Sequence, residues 1–144
     1  MEQISALQLT AEEKANVQLL RITDGILIGV TNRDDLIGSL ILPDTITEIG
    51  RKALSGCTGL TSITIPDSVT QIGEEAFGAC SRLAAIRILD SVAEIGNNAF
   101  CNIQSNAQFI VASNAVKKLL KHSDSSIQDE HIIVKRLSGE VFTP

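Results

Sequence analysis

The chain has no tryptophan and no tyrosine, and its four phenylalanines are only 3% of 144 residues. A core built from it is aliphatic, with Ile, Leu and Val where a β-sandwich more often places aromatics. Concentrated charge is missing too. The net charge is −5, and the basic clusters Lys117, Lys118, Lys121 and Lys135, Arg136 are short and interrupted. Nucleic acid is held by clustered cations, so the balance argues against such a partner, and the two clusters read as solvated surface. No stretch approaches the ~20 apolar residues of a membrane-spanning helix, which argues against membrane insertion. The amino terminus, MEQISALQLTAEEK, lacks a basic region followed by an apolar block and does not read as a secretory signal. Three cysteines make an odd count, too few for a disulfide framework, so buried thiols are expected.

Catalytic groups are equally scarce. His122 and His131 are the two histidines. A Cys–His dyad would need Cys57, Cys80 or Cys101 to leave an apolar column. Zinc-ligand spacing and a Gly-rich phosphate loop are both missing, so no metal or other cofactor is expected and the chain does not read as an enzyme.

What the sequence does have is repetition. Residues 61–83, TSITIPDSVTQIGEEAFGACSRL, recur in apolar spacing as 38–60, GSLILPDTITEIGRKALSGCTGL, and as 84–106, AAIRILDSVAEIGNNAFCNIQSN. The columns hold Pro43, Pro66, Leu89; Asp44, Asp67, Asp90; Ile46, Val69, Val92; Ile49, Ile72, Ile95; and Gly50, Gly73, Gly96. Ala53, Ala76, Ala99 and Leu54, Phe77, Phe100 follow, with Cys57 and Cys80 after them. A fixed period in the twenties predicts stacked units, none of which buries its apolar face alone.

Within the middle unit, Ile63 and Ile65 alternate with Ser62 and Thr64, the period of a half-buried strand. Pro66 ends that strand and Asp67-Ser68 makes the turn. Val69 and Ile72 return inward, Gly73 is expected at positive φ, and the spacing of Ala76, Phe77, Cys80 and Leu83 predicts a short helix. The Asp column could be a Ca²⁺ ladder, but its recurrence in every unit favours carboxylates that bond their own turn backbone.

Outside the repeats, Thr10 and Glu13 form a capping box for a helix with Ala11, Ala15 and Leu19 on one stripe. Asp24-Gly25 between residues 19–23 and 26–30 is a hairpin signal. Residues 107–112 predict another strand, Ser113 caps a helix to His122, and 130–137 form a last strand. The chain then divides into an N-terminal cap over 1–37, three 23-residue units over 38–106, and a partial repeat and cap over 107–144, all in one domain.

The columns x-I-x-I-P-D-S-V-T-x-I-G-x-x-A-F-x-x-C-x-x-L closely resemble the BspA-like, or Treponema pallidum-type, leucine-rich repeats. Leu54 stands for the family's usual Phe, Leu89 for Pro and Ile103 for Cys. The resemblance implies an α/β fold: a short right-handed leucine-rich-repeat solenoid with a parallel sheet on one face, capped at both ends. It further implies a cell-surface or secreted setting, adhesion or host-protein binding, and no common catalytic site.

Outward strand positions are the expected binding face: Ser39, Ile41, Ser62, Thr64, Ala85, Arg87, Gln108 and Ile110. It is small and nearly neutral, and Arg87 is its one residue of a type enriched among interface anchors. The expected function is non-catalytic protein–protein interaction. A self-associating structural solenoid, meeting its copies through caps or edges, is the alternative.

Overall fold

The computed structural model describes residues 11–89, 91–124 and 126–135. The chain opens with helix α1 (Ala11–Gln18) and strands β1 (Leu20–Thr23) and β2 (Ile26–Val30). Longer and shorter strands then alternate: β3 (Gly38–Ile41), β4 (Glu48–Ile49), β5 (Leu60–Ile65), β6 (Gln71–Ile72), β7 (Ala85–Ile88) and β8 (Glu94–Ile95). Strand β9 (Gln108–Val111), helix α2 (Asn114–Ser123) and β10 (Ile132–Val134) complete it. The longer strands form one sheet, β10-β9-β7-β5-β3, and the shorter ones a second, β1-β2-β4-β6-β8. This is an α/β repeat fold whose strand pairs are parallel except for the β1–β2 hairpin.

Register follows the period. Leu40 lies opposite Ile63, Ile63 opposite Ile86, Ile86 opposite Phe109, and Phe109 opposite Ile132. Each step is 23 residues, the separation of the hydrogen-bonded Ser39 and Ser62. A one-residue slip from this step would turn a strand inside out, so constant spacing keeps all five residues buried. The core they enter is mainly aliphatic, with one aromatic run. Phe77 stacks on Phe100 at 4.9 Å, and Phe100 meets Phe109 edge-on at 5.1 Å.

Four expectations are corrected. The parallel sheet expected on one face is joined by a second, because residues 48–49, 71–72 and 94–95 also pair with one another. The expected short helix is absent. Residues 51–56 and 74–79 form turns instead, and each rung bends through two left-handed residues. One column is Lys52, Glu75, Asn98 and the other Gly56, Ala79, Asn102, all at φ between 55° and 79°. Bent in this way, the turns offer their N–H groups to the next rung: Leu54 N to Ala76 O at 2.8 Å, and Phe77 N to Ala99 O at 2.7 Å. A helix would have spent those donors internally.

The glycine column is the third correction. Gly50, Gly73 and Gly96 are not among the positive-φ residues. They are required because neighbouring backbones come too close for a side chain. A Cβ on Gly73 would lie 2.7 Å from both Arg51 N and Gly50 C, inside any tolerable contact. That approach lets Gly73 N donate to Ile49 O at 2.7 Å and Gly96 N to Ile72 O at 2.7 Å.

Helix α1 is the fourth. Ala11 and Ala15 face solvent, and the buried residue is Asn16, 3% exposed. Its Nδ2 donates to Ile37 O at 2.8 Å and Ser39 O at 2.7 Å, and its Oδ1 accepts from Ile37 N at 3.4 Å. One amide side chain thus bonds the edge of β3 as a neighbouring strand would. Thr10, half of the expected capping box, lies outside the described residues. The hairpin forms at Asp24-Gly25, both at positive φ, and Ser113 Oγ caps α2 by accepting from Val116 N at 3.4 Å.

These findings assign opposite signs to two substitutions. Gly73→Ala is expected to lose about 1–3 kcal/mol, because rungs must part to admit the methyl. Ala79→Gly, at φ 61° on the surface, is expected to gain about 0.5–1 kcal/mol as left-handed strain outweighs glycine's entropy. Urea unfolding of the two variants beside the parent chain checks both.

Candidate functional site

The eight strand-face positions come together on the outer surface of the five-stranded sheet. Register arranges them in two rows. Ser39, Ser62, Ala85 and Gln108 form the first, and Ile41, Thr64, Arg87 and Ile110 the second. Pleating turns these side chains away from the core, while Leu40, Ile63, Ile86 and Phe109 between them point in. Seven of the eight are half-buried by their row neighbours, and Arg87 is exposed.

Ser62 Oγ donates to Ser39 Oγ at 3.0 Å, so those hydroxyls are largely turned on each other. Thr64, Arg87 and Gln108 remain as the polar groups of the middle. Arg87 forms no ion pair among the described residues. Along the row Arg87 is flanked by Thr64 and Ile110.

The second row is longer than expected. Ile133 pairs with Ile110 and is 43% exposed, so the row reads Ile41, Thr64, Arg87, Ile110, Ile133. Its signal was present in the sequence, since Ile133 follows Ile110 by the same period. The segment 130–137, expected as a last strand, supplies this further rung. It is shorter than that, because Asp129–His131 is a 3-10 turn ahead of β10.

The face of the short-strand sheet was missed altogether. It is a charged surface: Gln71 Nε2 donates to Glu94 Oε1 at 2.9 Å, and Arg51 pairs with Glu74 at 3.3 Å. The polar column Glu48, Gln71, Glu94 beside the buried Ile49 and Ile72 was the signal available.

The nucleophile and metal candidates do not assemble. Cys57 and Cys80 are fully buried, whereas Cys101 is half-buried with its Sγ close over Gly78. Cys80 Sγ donates to Leu54 O at 3.1 Å. Its hydrogen bond with Cys57, and then burial, push the Cys80 thiol above the ordinary range. A thiol so held is a core residue and no nucleophile.

His122 is exposed on α2, and His131 Nδ1 accepts from Gln128 N at 3.0 Å. Among the described residues no group of His, Cys, Asp and Glu could hold a metal ion. Asp90, one of the three carboxylates of the Asp column, lies outside them. Hydrogen bonds across that corner come from the column after it: Ser68 Oγ donates to Ile46 O at 2.7 Å and Ser91 Oγ to Val69 O at 2.6 Å. No helix among the described residues is long and apolar enough to cross a membrane.

Parallel rungs at a constant step, with a varied outer face and a uniformly apolar interior, define a repeat protein of the leucine-rich type. The family model for the BspA type leucine-rich repeat region (6 copies) matches residues 33–135. The chain belongs to that family. Its repeats generally mediate protein–protein contact and are typically non-enzymatic. No curated protein and no solved structure matches the chain.

Two chemical tests follow from the buried and exposed groups. Iodoacetamide is expected to modify Cys101 first, with Cys57 and Cys80 reacting only on unfolding, as read by mass spectrometry of digests. Asp129 receives Lys121 at 2.5 Å and Lys117 at 3.7 Å. The Lys121 hydrogen bond, and then the charge of Lys117, hold its carboxyl below the usual range. A depressed carboxylate contributes above its unfolded-state pKa and loses that contribution as pH falls through the folded one. Lys121→Ala should therefore raise the Asp129 midpoint in an NMR carboxyl titration, with little effect on melting because the pair is exposed.

Proposed function

We propose that this chain is a non-catalytic protein-interaction module that engages its partner across the outer face of the five-stranded sheet. The observation that carries this reading is the two-row face itself. Its interior positions are fixed by stacking, and its outer positions are free to differ from rung to rung. Arg87 is the anchor, exposed and without an ion-pair partner among the described residues, with Ile110 and Ile133 as apolar contact beside it. Arg is among the residues enriched at interface hot spots, and its guanidinium binds carboxylate bidentately. The partner surface that fits is a carboxylate with an apolar flank.

In the same reading the rungs wind as a short right-handed solenoid over 38–106. Residues 1–37 close one end, and 107–144 continue and close the other. Asn16 supports the first closure by occupying the edge of β3. Adhesion or host-protein binding at a cell surface is the setting that accords with the repeat class. A second reading, self-association through an edge, is favoured by one observation: β10 ends the sheet with Ile133 and Val134 43% and 38% exposed. Light scattering over a range of concentrations decides it, since a strict monomer excludes it.

Arg87→Glu and Thr64→Lys are the variants that test the face. Each sits on the outer surface, so circular dichroism and melting should match the parent chain. Binding to a partner captured by the parent chain is expected to weaken by tenfold or more for Arg87→Glu, equivalent to about 1.4 kcal/mol or more. Affinity unchanged in both variants would remove the strand-face reading.

A further inference from the structure

The two sheets do not begin on the same rung. In the short-strand sheet β2 lies one rung ahead of β4, pairing Leu27 with Ile49, whereas the long-strand sheet ends at β3. Helix α1 takes the place beside β3. Of its described side chains Asn16 alone is buried; Glu13 and Val17 are half-buried, and Ala11, Lys14, Ala15 and Gln18 are exposed. The Asn16 amide holds the edge by donating to Ile37 O and Ser39 O and accepting from Ile37 N.

The period reaches into this helix. Residues 16–19 precede 39–42 by the same 23-residue step, so Asn16 falls in the column of Ser39, and Val17 and Leu19 in those of Leu40 and Leu42. The segment carries a strand's alternation, yet residues 16–18 are wound into a helix of 8 residues. Helices shorter than about 12 residues are marginal in water unless packing holds them. Here the packing is slight, since Val17 and Leu19 are only partly buried against the core. The hold on β3 is therefore polar. Hydrogen bonds return little net free energy when water can replace the partner, so such a catch releases where an apolar one would not.

The chain just after α1 is anchored separately. Thr31 N donates to Leu19 O at 2.9 Å, and β2 is paired with β4. Gln18 and Leu19 are thus the point about which the helix can lift while the hairpin stays in place.

We propose that α1 is a latch over the edge of β3, with the Asn16 amide as its catch, and that it opens as a unit while the repeats stay folded. Opening bares the carbonyls of Ile37 and Ser39, a strand edge of the kind to which other chains add. It also acts on the first rung of the outer face, because Ser39 and Ile41 stand on β3. The latch does not depend on what that face binds.

Amide hydrogen exchange of the full chain, read residue by residue by NMR, tests it. The amides of residues 15–18 and of Ile37 are expected to exchange through one common opening, at least about 100-fold faster than the most protected amides of β5 and β7. Asn16→Ala is the decisive variant, because alanine is the better helix former. A helix held by its own propensity would exchange more slowly after that change. A latch that has lost its catch is expected to exchange roughly tenfold faster or more at residues 15, 17, 18 and 37, with β5 and β7 unchanged. Asn16→Asp keeps the acceptor and loses both donors, and is expected to open as well.

Exchange in α1 that is unchanged or slower in Asn16→Ala overturns the proposal. A parent chain in which α1 and the strands exchange at one rate also overturns it. So does a variant in which both rise together, because α1 would then open only with the whole fold.

Discussion

The structure depends on how closely one rung lies on the next. Backbone hydrogen bonds between parallel strands require a spacing of about 4.8 Å, and here the bonding runs along more than the strands. Gly73 N reaches Ile49 O beside the short-strand ladder, Ala84 N reaches Thr61 O beside the long one, and Leu54 N reaches Ala76 O across the turns. Contact on all three sides leaves no room for a side chain where the backbones converge, and glycine occupies that column. The same contact explains why the third side is bent through left-handed residues. Two such residues per rung turn the chain sharply while aiming N–H groups along the stack.

Stacking of this kind divides the side chains into two populations with different freedoms. An inward residue must match the residue above and below it in size, because interiors tolerate neither gaps nor overlap. Leu54, Phe77 and Phe100 show the permitted range, and the parallel rings of Phe77 and Phe100 show what an aromatic does in such a column. Outward residues meet only their row neighbours and solvent. Serine, alanine and glutamine can therefore follow one another in one row, and isoleucine, threonine and arginine in the other. The fold leaves only this second population free to vary.

The ends of a stack are a separate problem, since a terminal rung exposes backbone groups that its neighbours have satisfied. At β3 the answer is Asn16, whose single amide both donates to and accepts from the strand edge. At the opposite end Asn98 N donates to Ser123 O at 2.8 Å, so the last turn of α2 continues the ladder beyond the third unit. Where the turns before β9 and β10 meet, a cavity lined by Phe100, Phe109, Ile127 and His131 remains open.

Much of this was legible in the residues, and the reasons differ by element. Periodicity gave the strand register, the inward columns and the two outward rows, because a 23-residue step repeated along a parallel sheet leaves one consistent pairing. Residue type gave the hairpin at Asp24-Gly25 and the cap at Ser113, where local chemistry decides the geometry. Spacing failed where two conformations share one pattern. Ala76, Phe77, Cys80 and Leu83 suit a helix face, yet the turns prevail because their donors bond the next rung. Gly73 suits a positive φ, yet its role is to admit a neighbouring backbone. Asn16 in a short polar helix carried no sign that it would be the buried residue. The sequence by itself determined the rung and its repetition, which are properties of one unit and its nearest copy. Tertiary structure alone decided the edge contacts, the turn conformation and the cavity, since each depends on backbone from another rung arriving within bonding distance.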